Sequence, residues 1–364
     1  MPEKIKAGVL GATGKVGQMY VSLLENHPWF KLSYVAASER SAGKKYAEAV
    51  SGRWHIEKDI PKNVMGMVVQ DAKNLEEALK KCDFIFSAVE MDKQETKELE
   101  CAYAKHMPVV SNNSAHRWTE DVPILIPEIN GAHLDLIFYQ QKNHKWEGFI
   151  VVKPNCTLQS YIAPVCALID SGYKVKKMVI TTMQALSGAG YPGISSLDIT
   201  DNIIPYIAGE EEKNEQEPLK ILGKIEKDKI LPADIKISCH CNRVHVIDGH
   251  LSSVSLGFSG KKPSLEKIIE IWKNFKSTPQ DLALPFAPKH PIIYREEYDR
   301  PQPRKDRDAE KGMAVSVGRL RQCNVLDIRF TGLSHNTKRG AAGGGILNAE
   351  LLKVQGYLKS THAS

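Results

Sequence analysis

A short apolar run, Ile5 to Leu10, ends in Gly11-Ala12-Thr13-Gly14-Lys15-Val16-Gly17 and passes directly into the helical pattern Val16, Tyr20, Leu23, Leu24. Strand, glycine turn and helix in that order restrict the chain sharply. Glycines let the backbone turn tightly and approach a pyrophosphate, which then rests on the free N–H groups at the helix start, so a dinucleotide is the natural ligand. The spacing is G-x-x-G-x-x-G rather than G-x-G-x-x-G, and the weight falls on its position at the first strand-to-helix junction of an alternating α/β segment. Gly11, Thr13, Gly14, Lys15, Val16 and Gly17 are the candidate cofactor contacts there.

The next strand, Leu32 to Ala37, ends in Ser38-Glu39-Arg40-Ser41, about where a second-strand residue meets the adenosine ribose. Ser38, Arg40 and Ser41 suit a 2′-phosphate, since a guanidinium supplies paired donors and the hydroxyls add more. They favour NADP, whereas Glu39 facing the ribose would favour NAD. A helix from Asn74 to Lys81, a strand Phe84 to Ala88, a helix from Lys93 to Lys105 and a strand Pro108 to Ser111 continue the alternation and predict a mainly parallel sheet. Ser87 and Ala88 fall where the middle of the cofactor would pass. The turn after Ser111 carries Asn112, Ser114 and Arg117, which could bind an anion or simply face water.

A second junction holds the chemistry. The β-branched run at Val151-Val152 gives way to Lys153-Pro154-Asn155-Cys156, and Leu158, Tyr161, Ile162, Val165, Leu168 and Ile169 follow at helical spacing. A thiol at a helix N-terminus meets free N–H groups and the positive dipole end, which favour the nucleophilic thiolate, although a free cysteine also serves as a small apolar filler. A proton partner is available in His250, which follows the Asp248-Gly249 turn, and Arg243 seven residues earlier could grip a carboxylate through two parallel hydrogen bonds. Taken alone, His245 and His250 also read as ordinary strand-end residues.

Beyond Cys156 the pattern shifts to long strands at Val175–Met183, Ile235–Cys241, Val244–Val246, Leu251–Phe258, Met313–Arg321 and Val325–Thr331, with helices near Ser195 to Tyr206 and Leu265 to Phe275. This predicts a second, mixed and largely antiparallel sheet, a kind that often buries one face in a subunit partner. The fold class is therefore α/β, a Rossmann-type dinucleotide-binding domain joined to an α+β catalytic and dimerisation domain. The boundaries are set at 1–156 and 157–335, with 336–364 forming a C-terminal helix, Ile346 to Leu358, that returns to the first domain.

The 364 residues carry 49 basic and 43 acidic side chains, a net +6 that is interspersed rather than clustered, so small anions suit it better than nucleic acid. The one dense charge run, Arg295 to Lys311, reads as a solvated loop. Seven cysteines, with no signal-peptide pattern and no long apolar run, predict a reducing, cytoplasmic setting and no membrane span. Cys239-His240-Cys241 is spaced wrongly for a tetrahedral metal site, and no metal is expected.

Five motifs in register, namely Gly11-x-x-Gly14-x-x-Gly17, Lys153-Pro154-Asn155-Cys156, Gln184 before Ser187-Gly188-Ala189-Gly190, Arg243 seven before His250, and Asn336 before Arg339-Gly340-Ala341-Ala342-Gly343, together resemble aspartate-β-semialdehyde dehydrogenase over almost the whole chain. The Gly209-Glu210-Glu211-Glu212-Lys213 segment resembles its archaeal and fungal branch. The resemblance implies Cys156 as nucleophile, His250 as general acid/base and Gln184 as an orienting group. It also implies Arg243 for the substrate carboxylate, Glu210 for its amino group, and Lys213, Arg117, Asn112 and Ser114 for phosphate. Gly188 and Asn336 would border the nicotinamide, with Ser187 a further cofactor contact. The implied reaction is NADP-dependent interconversion of aspartate semialdehyde plus phosphate and aspartyl phosphate through a cysteine thioester, in lysine, threonine and methionine biosynthesis, by a homodimer or homotetramer. An acyl-CoA reductase such as malonyl-CoA reductase could use the same Cys/His pair. A nucleotide-sensing protein with a dead site is the reading from outside enzymology.

Overall fold

The computed structural model describes residues 3–360. The first sheet comprises β1 (Ile5–Leu10), β2 (Phe30–Ala37), β3 (Gln70–Asp71), β4 (Phe84–Ser87), β5 (Val109–Ser111) and β6 (Ile150–Val152). All are parallel, in the order β3-β2-β1-β4-β5-β6, with the reversal of strand order between β1 and β4. This is the doubly wound arrangement whose ligand crevice lies beyond the carboxyl ends of the strands, at that reversal. The strands β4, β5 and β6 are buried throughout, on both faces, because helices cover both. Phe84 and Phe86 of β4 enter one core with Tyr20, while Ile85 between them enters the other. Each such fully buried side chain contributes roughly 1.5–3 kcal/mol.

The helix α1 (Lys15–Leu23) starts directly at the glycine turn. A Cβ at Gly17 would lie 2.1 Å from the Gly11 carbonyl oxygen, so only glycine lets the helix close onto the turn. The helix Gly343–Val354 lies in the same core, with Ile346, Leu347 and Leu351 buried beside Tyr20 and Val110. A Cβ at Gly345 would meet the Tyr20 hydroxyl at 1.9 Å, which is why the contact is so close. The helix begins three residues before the predicted Ile346 and ends at Val354, with Gly356 at positive φ beyond it.

The second sheet comprises β7 (Lys174–Gln184), β10 (Lys236–Arg243), β11 (His250–Ser259), β12 (Ile292–Arg295), β13 (Val315–Gln322) and β14 (Ile328–Ser334), and a separate hairpin joins β8 (Lys224–Glu226) to β9 (Lys229–Leu231). In the order β10-β7-β11-β14-β13-β12 the three inner pairs are antiparallel and the two outer pairs parallel. The helix Leu265–Asn274 packs on one face, with Trp272 fully buried and its indole N–H donating to the Pro164 carbonyl.

Several expectations need correction. Val244–Val246 is not a strand, because Val244 and Val246 bond to the β7 exit through the Gln184 carbonyl and Leu186 N–H and form the turn that carries the chain to His250. Only one helical turn, Ser196–Ile199, forms in the predicted Ser195–Tyr206 helix. The Arg295 to Lys311 run is not simply solvated. Asp306 within it is buried and accepts from Arg300 and from the Gln302 backbone N–H, with Arg295, the last residue of β12, alongside. A charge pattern read linearly cannot reveal that one carboxylate is folded inward against two guanidinium groups.

Candidate active site

The chain reaches Cys156 from β6 through a turn fixed by its own side chains. Asn155 Oδ1 accepts from the Thr157 N–H at 2.9 Å, so the residue ahead of the thiol caps the turn that follows it. Cys156 does not head an α-helix as expected. It stands immediately ahead of a 3₁₀ turn, Thr157–Ser160, which breaks at Tyr161 before the helix Ile162–Asp170 begins. The fully buried Ser160 and Ser252 hydroxyls, 2.6 Å apart, hold that turn against β11.

The second sheet delivers the other groups from the ends of three strands. Gln184 and Arg243 end β7 and β10 and pair with each other in register, and His250 opens β11 beside them. His250 is fully buried, with Nε2 3.3 Å from Cys156 Sγ. Its Nδ1 accepts from the Ala185 N–H at 3.0 Å. A neutral imidazole accepting at Nδ1 carries its proton at Nε2, so the ring directs an N–H toward sulfur. Burial, followed by the nearby Arg243 charge, pushes His250 down to about 3. Burial and then Glu210 push the Cys156 thiol up, while Lys153 and Arg117 pull it down. The turn alone does not generate a standing thiolate, contrary to what a helix N-terminus implies. The pair is a thiol or thiolate facing a neutral N–H donor, not an imidazolium ion pair.

Cys156, Gln184, Gly188, Tyr206, Glu210 and Arg243 line one cleft. Glu210 opens the helix Glu210–Ile221, and of the three consecutive glutamates it alone turns into the cleft: Glu211 accepts from the Cys241 backbone N–H and Glu212 is exposed. Burial alone would push the Glu210 carboxyl up. The Lys213 ammonium, with hydrogen bonds from Lys213, Asn155 and Gln184, instead holds it below the usual carboxylate range. Arg243 donates to the Ala185 carbonyl at 2.7 Å, which fixes its fork at the cleft wall. A thiol, a carboxylate and a guanidinium on one wall can hold an amino acid by both charges while its side chain reaches sulfur.

The four residues expected to bind phosphate do not line this cleft. Lys213 is paired with Glu210 at 2.9 Å. Arg117 is buried, giving Nη1 to Glu217 at 2.8 Å and Nε to the Lys153 carbonyl at 3.1 Å. Asn112 keeps a buried Oδ1 without a partner, and Ser114 meets Arg117 only through its backbone carbonyl.

A separate crevice at the sheet reversal is lined by Gly11, Thr13, Gly14 and Lys15 on one side and Ser38, Arg40 and Ser41 on the other, with Ala88 at its floor. Arg40 lines it and Glu39 does not. The close-packed glycine turn, the N-terminus of α1 and this cation-and-hydroxyl edge fit a dinucleotide carrying a 2′-phosphate. Val16 and Gly17 lie beneath the turn rather than in the crevice, and Ser87 is buried against the Asn113 amide. Ser187 and Asn336 do not line the crevice either but meet each other, where Asn336 donates to the Ser187 hydroxyl at 2.7 Å and accepts from the Gly249 N–H, one residue before His250.

Sequence reading missed Arg53, His55 and Tyr191, which also line this crevice. Fully buried Gln18 pins the Arg53 and His55 backbones to α1, and Tyr191 stacks on His55 with ring centroids 3.6 Å apart. No local motif announces them, since they come from two separate loops, Arg53 and His55 from the one after Val50 and Tyr191 from the one that follows β7. Among the described residues no group of three or more His, Cys, Asp or Glu could hold a metal, and no helix is long and apolar enough to cross a membrane.

Comparison with known proteins finds relatives over nearly the whole chain. Residues 6–137 match the family model described as semialdehyde dehydrogenase, NAD binding domain, and residues 165–339 match semialdehyde dehydrogenase, dimerisation domain. The chain is 48% identical to the aspartate-semialdehyde dehydrogenase of Archaeoglobus fulgidus over 96% of its length and 98% of that protein. It is 42% identical to that of Saccharomyces cerevisiae, over 98% of this chain and 100% of that one. The crystal structure of the Candida albicans aspartate semialdehyde dehydrogenase with NADP superposes with a TM-score of 0.89 at 39% identity, covering 98% of this chain and all of the other.

Proposed function

Because the chain belongs to the aspartate-semialdehyde dehydrogenase family, we propose that Cys156 is its nucleophile, with His250, Gln184, Arg243 and Glu210 arranged around the substrate. The protein is an NADP-dependent oxidoreductase that interconverts L-aspartate 4-semialdehyde plus phosphate and 4-aspartyl phosphate in amino-acid biosynthesis. The observation that carries the site reading is the cleft that Cys156, Glu210 and Arg243 share. Arg243 takes the α-carboxylate, Glu210 takes the α-ammonium, and the aldehyde carbon is left facing sulfur. A malonyl group has no ammonium to offer Glu210, and the relatives compared give the acyl-CoA reading no support.

The Cys156 thiolate adds to the aldehyde, and the His250 Nε2–H, already aimed at sulfur, donates to the oxyanion that forms. Gln184 is held by Glu210 beside the same carbon. The acyl group stays on Cys156 as a thioester until phosphate attacks its carbonyl and the thiolate departs. A further proton on His250 requires the Ala185 N–H to release Nδ1. Gly11 to Lys15, Ser38, Arg40 and Ser41 would hold NADP, with Gly188 and Asn336 at its nicotinamide end. When bound, that ring accepts hydride in one direction and returns it in the other. Lys213 and Arg117, with Asn112 and Ser114, supply the phosphate site once the Lys213–Glu210 and Arg117–Glu217 pairs give way.

The test is the initial rate of cofactor reduction with aspartate semialdehyde. Reduction of NADP that needs phosphate and is not sustained by CoA is expected, with NAD much poorer. Activity only with CoA and malonate semialdehyde would reject the substrate assignment. We also place the contact of a homodimer or homotetramer on the second sheet, where Val179 of β7 stands half exposed on the face turned away from the core. A species sedimenting as a 40.5 kDa chain at working concentration would reject that.

A further inference from the structure

Glu217 has no place in the chemistry above, yet its fully buried carboxylate is spent on two parts of it. It stands seven residues after Glu210 on the same helix, which is two turns and therefore the same face. One oxygen accepts from Arg117 Nη1 at 2.8 Å and the other from the backbone N–H of Asn155, the residue before the nucleophile, at 2.7 Å. Asn155 is gripped from the other end as well, since its amide donates to both oxygens of Glu210. One helix thus holds the nucleophile turn at two points and ties up a cation proposed for phosphate.

We propose that Glu217 is a positioning residue that fixes the turn bearing Cys156 and, as counter-charge to Arg117, limits how tightly the site holds phosphate. The second part rests on the phosphate role proposed for Arg117. The physical reason is the balance of charge in a dry setting. A guanidinium bonded to a buried carboxylate presents a weakened but still positive field, and phosphate must compete with Glu217 for it. Neutralising Glu217 leaves Arg117 facing Cys156 and phosphate uncompensated. A glutamine there also offers only one acceptor oxygen to the two donors, Arg117 Nη1 and the Asn155 N–H, and the turn loosens.

These two effects act in opposite directions on kinetics, which a general loss of structure does not. For Glu217→Gln the expected result is a kcat lower by roughly tenfold to a hundredfold, from misplacement of sulfur. The KM for phosphate should fall several-fold, and iodoacetamide labelling of Cys156, read by peptide mass spectrometry, should have its pH midpoint moved down. Glu217→Asp keeps the charge, so its phosphate KM should stay near the parent value while kcat still falls. Arg117→Met should raise the phosphate KM. An unchanged KM in that variant rejects the phosphate role of Arg117 and leaves kcat and the labelling midpoint to decide on Glu217. If Glu217→Gln does not fold, the double variant with Arg117→Met restores charge balance, and its phosphate KM and labelling midpoint should both rise. A lower yield of folded enzyme with parental kcat per folded site and an unmoved labelling midpoint, or a double variant with both readouts at parental values, would overturn the proposal.

Discussion

Replacing Cys156 by serine should lower kcat by at least about 10⁴-fold while leaving NADP binding nearly intact. The expected gap is large because serine keeps the shape but not the chemistry. An alkoxide is far less accessible than a thiolate when the nearest base is a histidine already protonated at Nε2. The cofactor crevice is formed by the glycine turn and the second strand end, and Cys156 is not among its lining residues. NADP titration by fluorescence, run beside the rate assay, separates the two. A serine variant that still turns over at a sizeable fraction of the parent rate would exclude a covalent route through this residue.

The second large effect belongs to His250. Truncation to alanine should reduce kcat by about 10²–10⁴-fold, whereas His250→Gln, whose amide N–H can approach the position of Nε2, should recover part of that loss. Donation rather than proton abstraction is the role that glutamine can share. The pH profile carries the same information. The imidazole, held down to about 3 by burial and by Arg243, stays neutral throughout the ordinary assay range. No limb near pH 6.5 should therefore come from this residue. Because burial raises the Cys156 thiol, kcat/KM should climb with pH as the thiolate forms, and His250→Gln should keep the shape of that climb. A limb near 6.5 that vanishes in His250→Gln would mean that His250 titrates as a base in the working enzyme.

Much of this was legible in the residues. Glycines at 11, 14 and 17 mark a backbone that must turn and pack closely, and the alternation after them reports a parallel sheet, since local spacing encodes both. Cys156 and His250 were found as types in suitable settings, but their 3.3 Å contact joins residues 94 apart and depends on the pairing of β11 with β7. The protonation states ran against the local signal. A turn N-terminus suggested a lowered thiol, and burial, which no window of sequence reports, raises it. Glu217 was hidden for another reason. In Glu-Glu-Glu-Lys-Asn-Glu-Gln-Glu it looks like one more solvated charge, and only its distance of seven from Glu210 hinted that it shares the buried face. Arg53, His55 and Tyr191 illustrate the limit, because they become neighbours only when two loops more than 130 residues apart meet at the crevice.

The most direct measurement is a single mixing of enzyme, NADP and aspartate semialdehyde without phosphate, followed by mass spectrometry of the intact chain and its peptides. The thioester account predicts a burst of NADPH no larger than the number of sites, then a stall, with an aspartyl adduct on the peptide containing Cys156 that phosphate discharges. Continuous NADPH formation without phosphate and without any adduct on Cys156 would contradict it.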